Sequence, residues 1–120
     1  MSEFRHEFTV KRSEWYRGKG DDDSALLKED GSKCCVGFLC LNAGLPKKAL
    51  FEVGSVEAVH MDLERLPKWL AERFVFDYDA TDWALDVYKA NDTPKLSGVE
   101  REAKLTALFA EKGIKVTFVD

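Results

Sequence analysis

The stretch GSKCCVGFLCLNAG, Gly31 to Gly44, carries every cysteine of the chain: Cys34, Cys35 and Cys40. A cysteine at a helix N-terminus meets unpaired N–H groups and the positive end of the helix dipole, and both favour its thiolate. Lys33 adds a positive charge beside Cys34. A thiol nucleophile also needs a base within hydrogen-bond reach. The histidines are His6 and His60, and His60 is the one that could face such a helix, with Asn42, Asn91 or Asp62 to orient it. One reading is therefore a cysteine-dependent hydrolase or transferase using Cys34 or Cys35 with His60. The plainer reading starts from cysteine being among the most buried residue types. It makes this segment a central apolar helix with cysteines chosen for size, and leaves reactivity open only for Cys34 at its exposed end.

Other chemistries are less complete. Zinc sites use Cys-x2–4-Cys pairs with further ligands, whereas Cys-Cys-x4-Cys on one helix points its thiols in different directions, so no metal and no cofactor is expected. Gly18-Lys19-Gly20 lacks the strand and helix that flank a phosphate-binding loop. Asp21-Asp22-Asp23 lacks the remaining positions of a calcium loop and reads as a solvated turn. A second acidic series, Asp77, Asp79, Asp82 and Asp86, is more suggestive. If the segment is helical, Asp82 and Asp86 lie one turn apart and repel by roughly a few tenths of a kcal/mol, as an acidic face offered to a basic partner would. Trp69 and Trp83 join this candidate binding set, because tryptophan is enriched at interfaces as well as in cores. Trp69, just after Pro67, is expected to be partly exposed, and Trp15 to pack the N-terminal strand onto the core.

The whole-chain properties narrow the classes. The chain has 120 residues, is 45% hydrophobic and 12% aromatic, and has a net charge of −4. That suits one folded domain spanning 1–120 and disfavours nucleic-acid binding, which normally shows a basic excess. No run approaches the roughly 18 apolar residues of a membrane span, and MSEFRHEFTVKR has no secretory apolar core. With an odd number of cysteines, two adjacent, free thiols in a reducing cytoplasm are expected.

The elements that must position these residues follow from pattern. Glu7–Lys11 alternates as a strand, Ser13 is placed to cap a brief turn, and Ala25-Leu26-Leu27-Lys28 reads as a second strand. A helix spans Cys34–Ala43, apolar all round, with Gly37 demanding a close backbone neighbour. Gly44 and Pro46 end it. Ala49–Val53 reads as strand or loop, and Pro67 opens a helix to about Arg73. Phe74–Tyr78 has strand character. Thr81–Ala90 is helical at least in its first half, ending at Asn91-Asp92-Thr93-Pro94. Ser97-Gly98-Val99-Glu100 has capping-box form and begins a helix over Val99–Lys112, in which Arg101 is expected to be held by a carboxylate such as Asp92. Ile114–Val119 alternates as a last strand and pairs near Glu7–Val10. The expected fold is a single α+β domain: a small, mainly antiparallel sheet packed against a buried cysteine-containing helix and a C-terminal helix.

One set of residues forms a pattern. Trp15-Tyr16-Arg17-Gly18, Leu26-Leu27, Gly31 and Cys34-Cys35-Val36-Gly37-Phe38-Leu39 make its first half. Asn91-Asp92, Arg101-Glu102, Phe109, Gly113-Ile114 and Val116-Thr117-Phe118-Val119 make its second. The pattern resembles a group of small uncharacterised proteins encoded by bacteriophages and prophages, over most of the chain outside about Pro46 to Asp79. The resemblance implies a small accessory protein of the bacterial host cytoplasm. As an expectation, such a protein is a non-enzymatic binding or inhibitory module against a host or phage protein, for instance in evading host defence, with self-association open.

Overall fold

The first and last elements among the described residues are strands, and they pair with each other. The computed structural model describes residues 6–18, 25–53, 56, 66–74 and 78–120, with only the backbone described at 78–81. Strand β1 (His6–Lys11) lies beside β2 (Ile114–Val119) in register from His6↔Ile114 to Lys11↔Val119. The two run parallel, which corrects the expected antiparallel sheet. Antiparallel pairing is what a short hairpin imposes, and no hairpin joins strands 108 positions apart. A helix instead delivers β2 to the starting end of β1, where the His6 N–H donates to the Gly113 carbonyl at 3.4 Å.

The alternation of both strands splits the sheet into two unlike faces. Phe8, Val10, Ile114 and Val116 are buried, while Glu7, Thr9, Lys11, Lys115 and Thr117 face solvent. The buried face is covered by α1 (Cys35–Asn42) over β1 and by the last helix over β2. As its composition predicts, α1 has no solvent face over its first six residues, Cys35 through Cys40, and only its last, Asn42, is exposed. Gly37 is the reason it can sit so deep, since a Cβ there would overlap the Leu26 carbonyl oxygen. The helix ends as read from Gly44, which takes φ +97°. The Gly44 N–H donates to Leu41 and the Leu45 N–H to Cys40, each at 3.1 Å, the paired bonds of a Schellman stop.

The middle of the chain is more helical than its pattern suggests. Pro46 and Pro67 precede α2 (Lys47–Leu50) and α3 (Lys68–Phe74), and α4 (Tyr78–Asp92) is helical throughout. The strand expected at Ala25–Lys28 reduces to a bridge between Leu27 and Phe51. Ser13 makes no cap bond in the short 3-10 turn Arg12–Glu14. The capping box is present: the Glu100 N–H donates to Ser97 Oγ at 3.1 Å and the Ser97 N–H to Glu100 Oε1 at 2.9 Å, opening α5 (Gly98–Ala110). Rings in edge contact join α3 to the sheet: Phe74 meets Trp83, Trp83 meets Phe109, and Phe109 meets Phe8 at 5.1 Å. Arg12 closes the outside, holding Glu102 through two bonds of 2.8 and 2.9 Å and Asp120 through a third. Of the expected elements, Ser55–His60 lies outside the described residues except for the helical Val56, and Phe74 and Tyr78, the described ends of the expected strand segment, are both helical.

The depth of α1 predicts an asymmetry between glycines. Gly37→Ala should cost about 3 kcal/mol or more in urea unfolding, because helix and Leu26 backbone must part. Gly98→Ala, whose Cβ meets nothing within 4 Å, should change stability by less than about 1 kcal/mol.

Candidate functional site

The cysteine segment is built for packing. Cys34 is 1% exposed, and Cys35 and Cys40 are fully buried, which corrects the expectation that Cys34 lies at an exposed end. Burial pushes the Cys34 thiol up to about 12, despite favourable hydrogen bonds from the Gly37 and Val36 backbone. The same cause holds the Cys35 and Cys40 thiols well above their ordinary value. Lys33, expected to favour a thiolate, is spent elsewhere: its Nζ donates to Glu14 Oε1 at 2.9 Å and lies 4.4 Å from the Phe38 ring centre. His60 lies outside the described residues, as do Asp62, Asp77 and the Asp21-Asp22-Asp23 loop. Among the described residues, no cluster of His, Cys, Asp and Glu could hold a metal ion.

The N-terminal end of α1 is occupied by Asn91. Asn91 is fully buried, and its Oδ1 accepts from the Cys35 N–H at 3.0 Å and from Trp15 Nε1 at 2.7 Å. Its Nδ2 donates to the Tyr16 carbonyl at 3.1 Å and to Asp92 Oδ1 at 2.8 Å. Its own carbonyl accepts from Gly18 N–H at 2.9 Å and from Arg101 Nη1 at 3.2 Å. Both candidate orienting asparagines are thus structural, for Asn42 Nδ2 donates to the Glu7 carbonyl.

Arg101 is buried as well, and the carboxylate expected to hold it is replaced by main-chain carbonyls. Nη1 donates to Ala90 and Thr93 at 2.8 Å, and Nη2 to Leu96 at 2.9 Å. A guanidinium against the carbonyl end of α4 answers both the unpaired groups and the dipole there. Burial lowers its pKa, with Arg17 acting the same way and Asp92 opposing.

The expected binding residues separate into three situations. Trp83 is 5% exposed, with its indole N–H on the Leu108 carbonyl at 2.8 Å, so its ring belongs to the core and not to a surface. Trp69 is half-buried, and His6 stacks on it with ring centres 3.8 Å apart and planes at 11°. Asp82 and Asp86 are both exposed on α4, one turn apart. Asp79 falls in the same helix with its side chain outside the described set. Sequence reading missed Leu85, which stands between the two aspartates at 53% exposure. Its spacing from Asp82 and Asp86 was the available signal, since Trp83, Ala84, Val87 and Ala90 form the buried face of the same helix.

Comparisons with protein-family models, with curated proteins and with solved structures find no match. Among the described residues, no helix is long and apolar enough to cross a membrane.

Two outcomes follow from the buried groups. Because the folded thiols titrate above their ordinary 9.0, the unfolded chain loses thiol protons first as pH rises. Stability is therefore kept below about pH 9 and falls above it, while all three thiols stay inert to alkylation in the native protein; one fast-reacting thiol at neutral pH would contradict this. Asn91→Ala strips acceptors from Trp15 Nε1 and the Cys35 N–H and should cost about 3–5 kcal/mol in chemical denaturation.

Proposed function

We propose that this protein is a non-enzymatic binding module that presents the acidic stripe of α4 to a basic surface of a partner protein. The observation that carries this reading is Leu85, 53% exposed beside Asp82 and Asp86 on a helix that buries Trp83, Ala84, Val87 and Ala90 in the core. An apolar anchor beside Asp82 and Asp86, with Lys89 one turn further on, suits a partner with an apolar recess and a basic group next to it. The closed thiols supply no nucleophile at the one place where the sequence offered one.

The class of partner comes from sequence. The pattern running from Trp15 to Val119 resembles small phage and prophage proteins, which supports an accessory or inhibitory role against a host or phage protein inside the bacterial cell. The net charge of −4 argues against nucleic acid and is compatible with mimicking its charge.

The test compares the immobilised protein with its Leu85→Ser and Asp82→Lys/Asp86→Lys variants for retention of proteins from a bacterial lysate. A specifically retained protein should be weakened by about tenfold or more by either change, with unaltered circular dichroism. A retained set that is identical for all variants would remove α4 from the function.

A further inference from the structure

Among the described residues the sheet has two strands, so each carries an edge that the other does not cover. The direction of the backbone groups on β1 follows from one bond. The His6 N–H donates to the Gly113 carbonyl, which with the parallel register turns the N–H and C=O of His6, Phe8 and Val10 toward β2. The same groups of Glu7, Thr9 and Lys11 therefore point away from it. The Glu7 carbonyl agrees, since it accepts from Asn42 Nδ2 at 2.8 Å in a solvent-exposed bond. The outward N–H and C=O of Thr9 and Lys11 have no hydrogen-bond partner among the described residues. All three residues are exposed.

The charges along this edge are symmetric in sign about Thr9, with Glu7 two residues before it and Lys11 two residues after. A second copy of β1 laid antiparallel, Thr9 opposite Thr9, sets each Glu7 against the other copy's Lys11. The three outward residues then occupy the hydrogen-bonded positions, where facing residues exchange both N–H···O bonds. Opposite charges and threonine pairs directly across such a ladder are favourable, and like charges are not. Centring the pairing on Glu7 sets carboxylate on carboxylate, and centring it on Lys11 sets ammonium on ammonium. A lysine on an edge strand ordinarily guards against pairing. Here Glu7 and Lys11 together guard against those registers and favour one.

The groups already beside them fit the same pattern. Glu7 forms no ion pair among the described residues, and its register partner on β2 is Lys115. Lys11 reaches Glu14 at 3.5 Å, but Glu14 holds Lys33 closer, at 2.9 Å, and the Lys11 side chain stays 55% exposed. In the paired state each Glu7 stands between two lysines and each Lys11 between two carboxylates.

We infer that β1 pairs antiparallel with β1 of a second copy of this chain about Thr9, giving a four-stranded sheet in the order β2–β1–β1–β2. What selects a second copy is that the edge is its own complement in this register. One strand per copy is a small interface beside the roughly 800 Å² per partner of a stable complex, so the dimer dissociates on dilution. It uses no residue of α4 and is independent of the acidic stripe there.

Sedimentation equilibrium of the whole chain over a dilution series should show monomer and dimer in exchange, with dimer dominant by roughly 1 mM. Glu7→Lys and Lys11→Glu, both at exposed positions, should each weaken association by about tenfold or more. Mixed together, these two variants should form a heterodimer, because each supplies the charges that the other lacks. The double variant Glu7→Lys/Lys11→Glu should recover the homodimer, and Leu85→Ser should leave it unchanged. In a mixture of isotope-labelled and unlabelled protein, the α-protons of Phe8 and Val10 should show an intermolecular contact, since they face each other in this register. A monomer at every concentration, association indifferent to both charge reversals, no heterodimer from the mixed variants, or association lost in Leu85→Ser overturns the proposal.

Discussion

The carboxamide of Asn91 is the constraint from which the rest of the arrangement follows. It is buried, and its hydrogen-bonding positions are filled by Trp15 and Tyr16, by the Cys35 N–H and by the neighbouring Asp92. A buried polar group with all partners present is stable only in one geometry, because losing any partner leaves a donor or acceptor dry. That geometry fixes the end of α4 against the start of α1 and lays the Trp15–Gly18 segment across both. Arg101 then locks the same corner from α5 by taking the carbonyls that α4 leaves unpaired. Gly18 completes it, since its φ is +69° and a Cβ there would stand 2.8 Å from Arg101 Nη2.

Seen from this corner, the residues that make the chain distinctive as a sequence have a common explanation. Trp15, Gly18, Cys35, Gly37, Asn91 and Arg101 all touch the node or the backbone packed beside it. They are requirements of packing, and the cysteines belong to the same deeply buried segment. Leu85 and Phe51, both exposed, take no part in it.

What could be read from sequence was local. Ser97 with Glu100, Gly44 before Leu45-Pro46, and the all-round apolar α1 carry their meaning within a few residues, and the structure follows them. The demand of Gly37 for a close neighbour was also legible, because glycine inside an apolar helix needs a reason. Strand direction was not, since it depends on how α5 returns the chain and not on either strand's alternation. The role of Asn91 was hidden for a related reason. An asparagine next to Asp-Thr-Pro reads as a helix stop, and its partners are 56 and 76 positions away. Trp83 and Leu85 show the limit on surface residues: neighbours on one helix, they exchange the roles that side-chain chemistry alone suggests.

The pairing of the first strand with the last also sets the order in which the molecule can assemble. The sheet closes a loop of 108 positions, which in a flexible chain would cost on the order of 4 kcal/mol in entropy. Two six-residue strands with one solvent-facing side return little against that until something has already brought them near. Helices gathered around the Asn91 corner shorten the effective loop, so the cost of closing the sheet falls as they pack. During synthesis, β1 leaves the ribosome 108 positions ahead of the strand it pairs with.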